Sequence, residues 1–332
     1  MKNNSRIGLT TLSLAAMLAL SACGGGGSDG GASNNNSGSG GGGNSPSNAL
    51  PPGTQSTAQY ASGSIELAAF NRVNQYRTQC GFPAVQQNTL LDQAAAAHAA
   101  YGLQNNVIGD TESSTNPGFT GATYADRATH FGFPQSVDST GESVGYYTGA
   151  TLSNDQYGNA LIDALISGVY HIAIASWPIT VAGVGVARTT FNGYPQISAS
   201  LGIGGFRSTQ GTMPLTFPCQ GVTGVPYSSF GESPTPPNTS GPWGTPVAVA
   251  GNPTDTILMQ SGTMTDTSGN VISLKVLDSA TDPNKLLPKF EGVAYPTSPL
   301  QPNTTYSISI TGTVNGTAFS RNFTFTTGNV IG

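Results

Sequence analysis

Apolar positions recur at helical spacing in three stretches of the chain. Ile65, Ala69, Phe70, Val73 and Tyr76 mark the first, with Ser62 or Ser64 placed to cap it and Gly81 to stop it. Leu91, Ala94, Ala95, His98 and Tyr101 trace one face of the second, which Asn88 can cap and Asn105-Asn106 can end. Its alanines, Ala94 to Ala97, predict close approach of a neighbouring helix, because no side chain holds the backbones apart. A third helix is expected from about Asp155 to Gly168, with Ile162, Leu165, Ile166 and Val169 on one side. Between the second and third, residues 107–141 show little periodicity and many turn formers, which predicts an irregular segment with one short helix near Tyr124–Thr129. A loop of that length inside a compact domain usually serves function.

Further on, alternation replaces helical spacing. Residues 181–189 and 194–206 read as two strands joined at Asn192-Gly193, a strong hairpin signal. Pro and Gly crowd residues 224–246 and predict a linker. Beyond it Tyr306, Ile308 and Ile310 alternate with polar residues, and Phe319, Arg321, Phe323 and Phe325 do so across Asn315-Gly316, the pattern of a half-buried antiparallel hairpin. Asp266 to Asn270 reads as a turn, since a calcium loop would need a closing acidic ligand.

The first residues change the picture. Lys2 and Arg6 precede an apolar run from Ile7 to Leu20 and then Leu20-Ser21-Ala22-Cys23. The run is too short for a ~30 Å hydrocarbon core, so residues 1–22 are expected to be a secretory signal. The small residues before Cys23 resemble the bacterial lipobox, in which the cysteine becomes the acylated first residue of the mature chain. Burial of about 0.8 kcal/mol per CH₂ would then hold it to a membrane. Gly24, in place of Asp, implies the outer membrane or cell surface over the inner membrane, by resemblance to sorted lipoproteins. Residues 24–53 are almost wholly Gly, Ser, Asn and Pro, and a flexible tether reaching some ~30 Å is expected over 23–57.

Only 8% of residues are charged and the net charge is -5, with no basic patch, which excludes nucleic acid as a partner. With Cys23 assigned to lipid, Cys80 and Cys219 remain, and in an oxidising compartment they are expected to pair. Closing so long a loop contributes about 4 to 5 kcal/mol in the chain-entropy model. The sequence carries no signal for oligomeric state.

Residues 141–145, GESVG, spell the G-x-S-x-G of a hydrolase nucleophile elbow. That elbow needs a buried strand ending at Ser143 and a helix starting after it, and neither PQSVDST nor YYTGATLSN supplies one. Of the three histidines, His98 lies on an apolar helix face and reads as a satisfied core residue, His130 sits in a polar loop, and His171 closes the third helix.

The order of FNRVNQYRTQCGFPAV (70–85), LLDQAAAAHAAYGLQNN (90–106), NPGFTGATYADRATHFGF (116–133), GES (141–143), VYH (169–171) and VAGVGV (181–186) resembles the CAP superfamily, particularly its bacterial SCP-like branch. The resemblance covers about residues 60–228. It implies an α+β fold, an α-β-α sandwich, with a cleft whose His and Glu side chains can hold a divalent metal. The family's cleft Glu falls on Glu142 and its second His on His171. Asp110, with Glu112 two residues on, stands where the family's first His is found, and Asp163 is the nearest acidic candidate for a further cleft carboxylate. This set, Asp110, Glu142 and His171, is oxygen-rich and suits Mg, Mn or Ca better than Zn; alternatively Asp110 pairs directly with His171. Leu300 to Tyr306 and the terminal FTFTTG resemble an immunoglobulin or fibronectin-like β-sandwich. The expected organisation is signal 1–22, tether 23–57, CAP domain 58–228, linker 229–243 and Ig-like domain 244–332.

Three functions follow from these residues. The first is a lipid-anchored, non-enzymatic surface protein binding a small apolar ligand or envelope component. A lipid binder should show an apolar groove without convergent carboxylates. The second is a metal-assisted hydrolase using His171, Glu142 and Asp110. The third is a structural or adhesive envelope protein.

Overall fold

The computed structural model of the chain describes residues 49–332. The expected signal, Cys23 and most of the tether lie outside the described residues. In chain order the elements are α1 (Ile65–Gln79), β1 (Gln86–Gln87), α2 (Thr89–Asn105), α3 (Tyr124–His130), β2 (Ser139–Tyr146), α4 (Asn154–Ser167), α5 (Ala173–Ser176), β3 (Val181–Phe191) and β4 (Tyr194–Gly204). Then come only strands: β5 (Leu215–Phe217), β6 (Thr223–Val225), β7 (Val247–Ala250), β8 (Ile257–Asp266), β9 (Val271–Ser273), β10 (Lys275–Asp278), β11 (Glu291–Tyr295), β12 (Thr305–Val314) and β13 (Thr317–Thr327). Among the described residues, no helix is long and apolar enough to cross a membrane.

The helices start where side-chain oxygens meet their free N–H groups. Ser64, not Ser62, caps α1 by accepting from Leu67, and Asn88 caps α2 by accepting from Leu90 and Leu91. Asn88 also donates to Pro52, and Thr89 to Gly53, so residues expected in the tether are already packed against α2.

The first sheet has the order β1-β3-β4-β2, with β1 parallel to β3 and the rest antiparallel. Its central hairpin turns at Asn192 and Gly193, with φ of 49° and 81°, as the Asn-Gly signal requires. Helix α2 lies on one face and α1 with α4 on the other. The alanine run of α2 does approach a neighbour closely, but that neighbour is β3. A Cβ at Gly183 or Gly185 would collide with the α2 backbone near Asp92 or Ala96. Alternation then sends Ala182 and Val184 into the opposite core with Phe70, Val73, Ile162 and Ile166.

The remaining strands form two further sheets, β10-β11-β7-β5 and β6-β13-β12-β8-β9. Each takes an outer strand from residues 215–225: β5 pairs antiparallel with β7, and β6 pairs parallel with β13. Residues 229–243, expected as a linker, are tied in. Phe230 N donates to Gly332 O at 2.7 Å, and the buried Trp243 donates its Nε1 to Ser167 O at 3.0 Å. The Cys80–Cys219 disulfide is formed, with Cα atoms 5.4 Å apart. One apolar core runs from Phe70 through Ile166 and Trp243 to Val249 and Ile310, and residues Asn48–Gly332 make a single compact unit.

Candidate functional site

Strand β2 runs along the sheet edge through GESVG, beginning inside the stretch whose pattern predicts irregular structure. Apart from Val144 and Tyr146 its residues are polar or glycine, and Glu142 is its one buried position. Period-two alternation sends Glu142 and Ser143 to opposite faces of the sheet, so the two candidates in this stretch meet different partners.

Ser143 faces α2, where His98 Nε2 lies 3.1 Å from its Oγ and His98 Nδ1 lies 2.8 Å from Glu112 Oε1. The distances are those of a Ser–His–Glu relay, but the protons run the wrong way. His98 Nε2 is also 2.8 Å from Gly109 O, and Gly109 O and the Glu112 carboxylate can only accept, so both ring nitrogens face acceptors and Nε2 is poorly placed to take the serine proton. Tyr124 donates to Asp110 Oδ1 at 2.8 Å, which leaves its phenol oxygen to accept the Ser143 proton at 2.5 Å. His98 is thus the satisfied core histidine expected from its helix face.

The same contacts locate Glu112 and Asp110. Glu112 is an anchor for the irregular loop: its carboxylate accepts from His98 and from Thr120 N at 2.7 Å, and it does not line the cleft. Arg127, buried beneath the loop, donates to the carbonyls of Gly121 and Asp110 and stacks 4.3 Å from the Tyr124 ring centroid. Asp110 is exposed and borders the cleft with Tyr124.

On the other face, Glu142 lines a cavity of about 210 Å³ together with Asp110, Tyr124, His171 and Trp177. Its Oε2 has no hydrogen-bond partner, although the residue is only 5% exposed. Burial pushes its carboxyl well above the usual range; His171 opposes this, and Asp110, Glu291 and Glu232 add to it.

His171 follows the turn after α4. Its Nδ1 lies 2.8 Å from Glu232 Oε2, and the same carboxylate accepts from Val169 N at 2.6 Å and Tyr170 N at 3.1 Å. Gly168 leaves room for this clasp, since a Cβ there would come 2.6 Å from Glu232 Oε2. Burial alone would lower the His171 pKa, but the Glu232 bond and the charges of Glu142, Glu232 and Asp110 outweigh it and raise it to about 9. The partner of His171 is therefore Glu232, from the expected linker, and not Asp110. No sequence pattern joins residues so far apart. Trp177 is a second residue that sequence reasoning missed. Its Nε1 donates to the buried Glu291 of β11 at 2.7 Å.

The cleft does not assemble a metal site. Among the described residues, no group of three or more His, Cys, Asp or Glu is placed to hold an ion. Asp110 accepts from Tyr124 and His171 spends Nδ1 on Glu232. Asp163 lies apart from the cleft and clamps α4 to α1 through Arg72 at 3.0 Å and Tyr76 at 2.7 Å. These donors are not gathered about one point among the described residues, and no step is derived through a divalent cation.

Residues 70–198 match the model of the cysteine-rich secretory protein family, CAP, a span that contains Asp110, Glu142 and His171 but not Glu232. An outer surface protein from Borrelia burgdorferi is similar in structure, with a TM-score of 0.32 and 14% identity over 42% of this chain and 91% of that one. No curated protein matches the chain in sequence.

Proposed function

We propose that this chain is an exported CAP-domain protein, lipid-anchored at Cys23, whose cleft binds a small organic ligand without turning it over. The observation that carries this reading is Glu142: a buried carboxyl with an unpartnered oxygen, in the wall of a cavity it shares with His171. A buried polar atom left unmatched by its own chain is a place for a ligand's hydrogen-bonding group. Acyl transfer is disfavoured, because the Ser143 proton points to Tyr124 and His98 Nε2 faces the Gly109 carbonyl. Metal-assisted hydrolysis is disfavoured by the dispersed donors. Asp110 and Glu142 both line the cleft, though not gathered about one point, so a wholly apolar ligand fits it poorly.

The β-strands after residue 244 are read as an immunoglobulin-like sandwich. Tyr306 supports this, since its buried phenol accepts from Gln301 N at 2.9 Å, five residues upstream.

Native mass spectrometry of the protein released from its own membrane tests the binding reading. A retained organic molecule is expected, and it should be lost in Glu142→Gln. Hydrolysis of ester or peptide reporters that disappears in Glu142→Gln would overturn it. Anchoring is tested separately: Cys23→Ser should move the protein from the membrane to the soluble fraction.

A further inference from the structure

A second cavity, of about 440 Å³, lies between the cleft and the strands after residue 244. Its apolar wall is three aromatic rings, Trp177, Phe206 and Phe290, whose centroids are 5.5 to 6.0 Å apart. Trp177 and Thr140 line both this groove and the Glu142 cavity, so the two meet at the indole. Glu291 fixes that indole by accepting from its Nε1, so β11 and the loop before it build one side of the groove.

Carboxyl groups outnumber basic groups around these spaces. Asp110 and Glu142 line the cleft and Asp138 lines the groove, while no Lys or Arg lines either. The one basic side chain, His171, is already joined to Glu232. An anionic ligand would therefore meet Asp110 and Asp138, and a hydrocarbon would leave Glu142 Oε2 unpartnered. An N–H cation meets both requirements, and aromatic faces attract cations as well as apolar groups.

We propose that the cleft and groove take one ligand, an organic ammonium ion, with its charged nitrogen against Glu142 and Asp110 and its apolar or aromatic body on Trp177, Phe206 and Phe290. This rests on the binding function proposed above and names its ligand class. It also makes the loop before β11 a part of the site through Phe290 and Pro288.

The test follows Trp177 fluorescence in the full chain, with Trp177→Phe as the blank because Trp243 then remains alone. Phenethylammonium is titrated beside its neutral counterpart 2-phenylethanol and the anion 3-phenylpropionate. The ammonium is expected to bind at least tenfold more tightly than the alcohol, and the carboxylate more weakly than either. Glu142→Gln and, independently, the exposed Asp110→Asn should each reduce the preference for ammonium over alcohol at least several-fold. Phe290→Leu should weaken all three probes. Unfolding curves matching the parent confirm that each variant is folded, and Asp110→Asn decides the matter if Glu142→Gln is not. Equal or tighter binding of the alcohol or carboxylate overturns the ammonium assignment. If native mass spectrometry finds a retained neutral or anionic molecule, this assignment falls and the binding function stands. If no probe binds and no molecule is retained, both fall.

Discussion

Glu142 occupies a position that opposes folding. A buried oxygen without a partner loses its water for nothing, at a cost of about 1–3 kcal/mol. Glu142→Leu, which keeps the volume and removes the oxygens, should therefore stabilise the protein by about that amount in urea unfolding, while ligand binding is lost. A destabilised Glu142→Leu would mean that the carboxyl has a structural partner. His171 works in the opposite sense. Its pKa is about 9 in the fold against 6.5 ordinarily, so the folded chain binds more protons over that interval and stability falls as pH rises through it. The contribution is on the order of 3 kcal/mol, present in full below pH 6.5 and lost through pH 9. Glu291, raised by burial from 4.5 to about 8, slopes the same way between those values. The melting temperature is expected to be highest in mild acid and to decline towards pH 9, with His171→Gln flattening the curve above pH 7; a melting temperature rising from pH 6 to 9 would contradict both assignments. At this scale the sequence distinguished Glu142 from Ser143 by the missing elbow. It could not show Glu232, 61 residues beyond its histidine. A side-chain bond across that distance leaves no periodic trace.

Elements with a strong local signal form as the sequence predicts. Both Asn-Gly turns adopt positive φ at both residues, 49° and 81° at 192–193 and 51° and 81° at 315–316, because few other pairs tolerate that backbone. Strand β2 had no such signal. It is an edge strand whose only apolar side chains are Val144 and Tyr146, half-buried against the core on the face of Glu142, too few to mark a strand in the sequence beside the ladder it forms with β4. The alanines of α2 showed that something packs closely but not what. The answer lay in Gly183 and Gly185, which remove side chains from β3 at the point of contact. Gly185→Ala places a methyl group against the backbone of Ala96 and should destabilise the fold by about 1–3 kcal/mol. A change under about 0.5 kcal/mol in denaturant unfolding would show that α2 is free to shift away.

Across the whole molecule, the composition shift at residues 224–246 suggested a boundary, since Pro and Gly mark most linkers. Here they mark strand crossings instead. The chain leaves the first sheet at Gly204, lends β5 and β6 to the later sheets, and returns Glu232 to the cleft before β7 begins. Burial follows the same path: Phe217, Val222, Val225 and Trp243 are all under 4% exposed and share one core with α1 and α4. A chain ending at residue 228 would keep β5 and β6 without partners, uncover Phe217, Val222 and Val225, and lose Trp243 and the Glu291 support of Trp177. Calorimetry of residues 49–332 should therefore show a single cooperative transition, whereas the same chain cut at 228 should aggregate or melt without cooperativity. Two resolved transitions in the longer chain, or a sharp one in the shorter, would establish independent domains. In that case the aromatic groove would be a seam between separable bodies, and the Phe290→Leu effect on ligand binding should vanish with it.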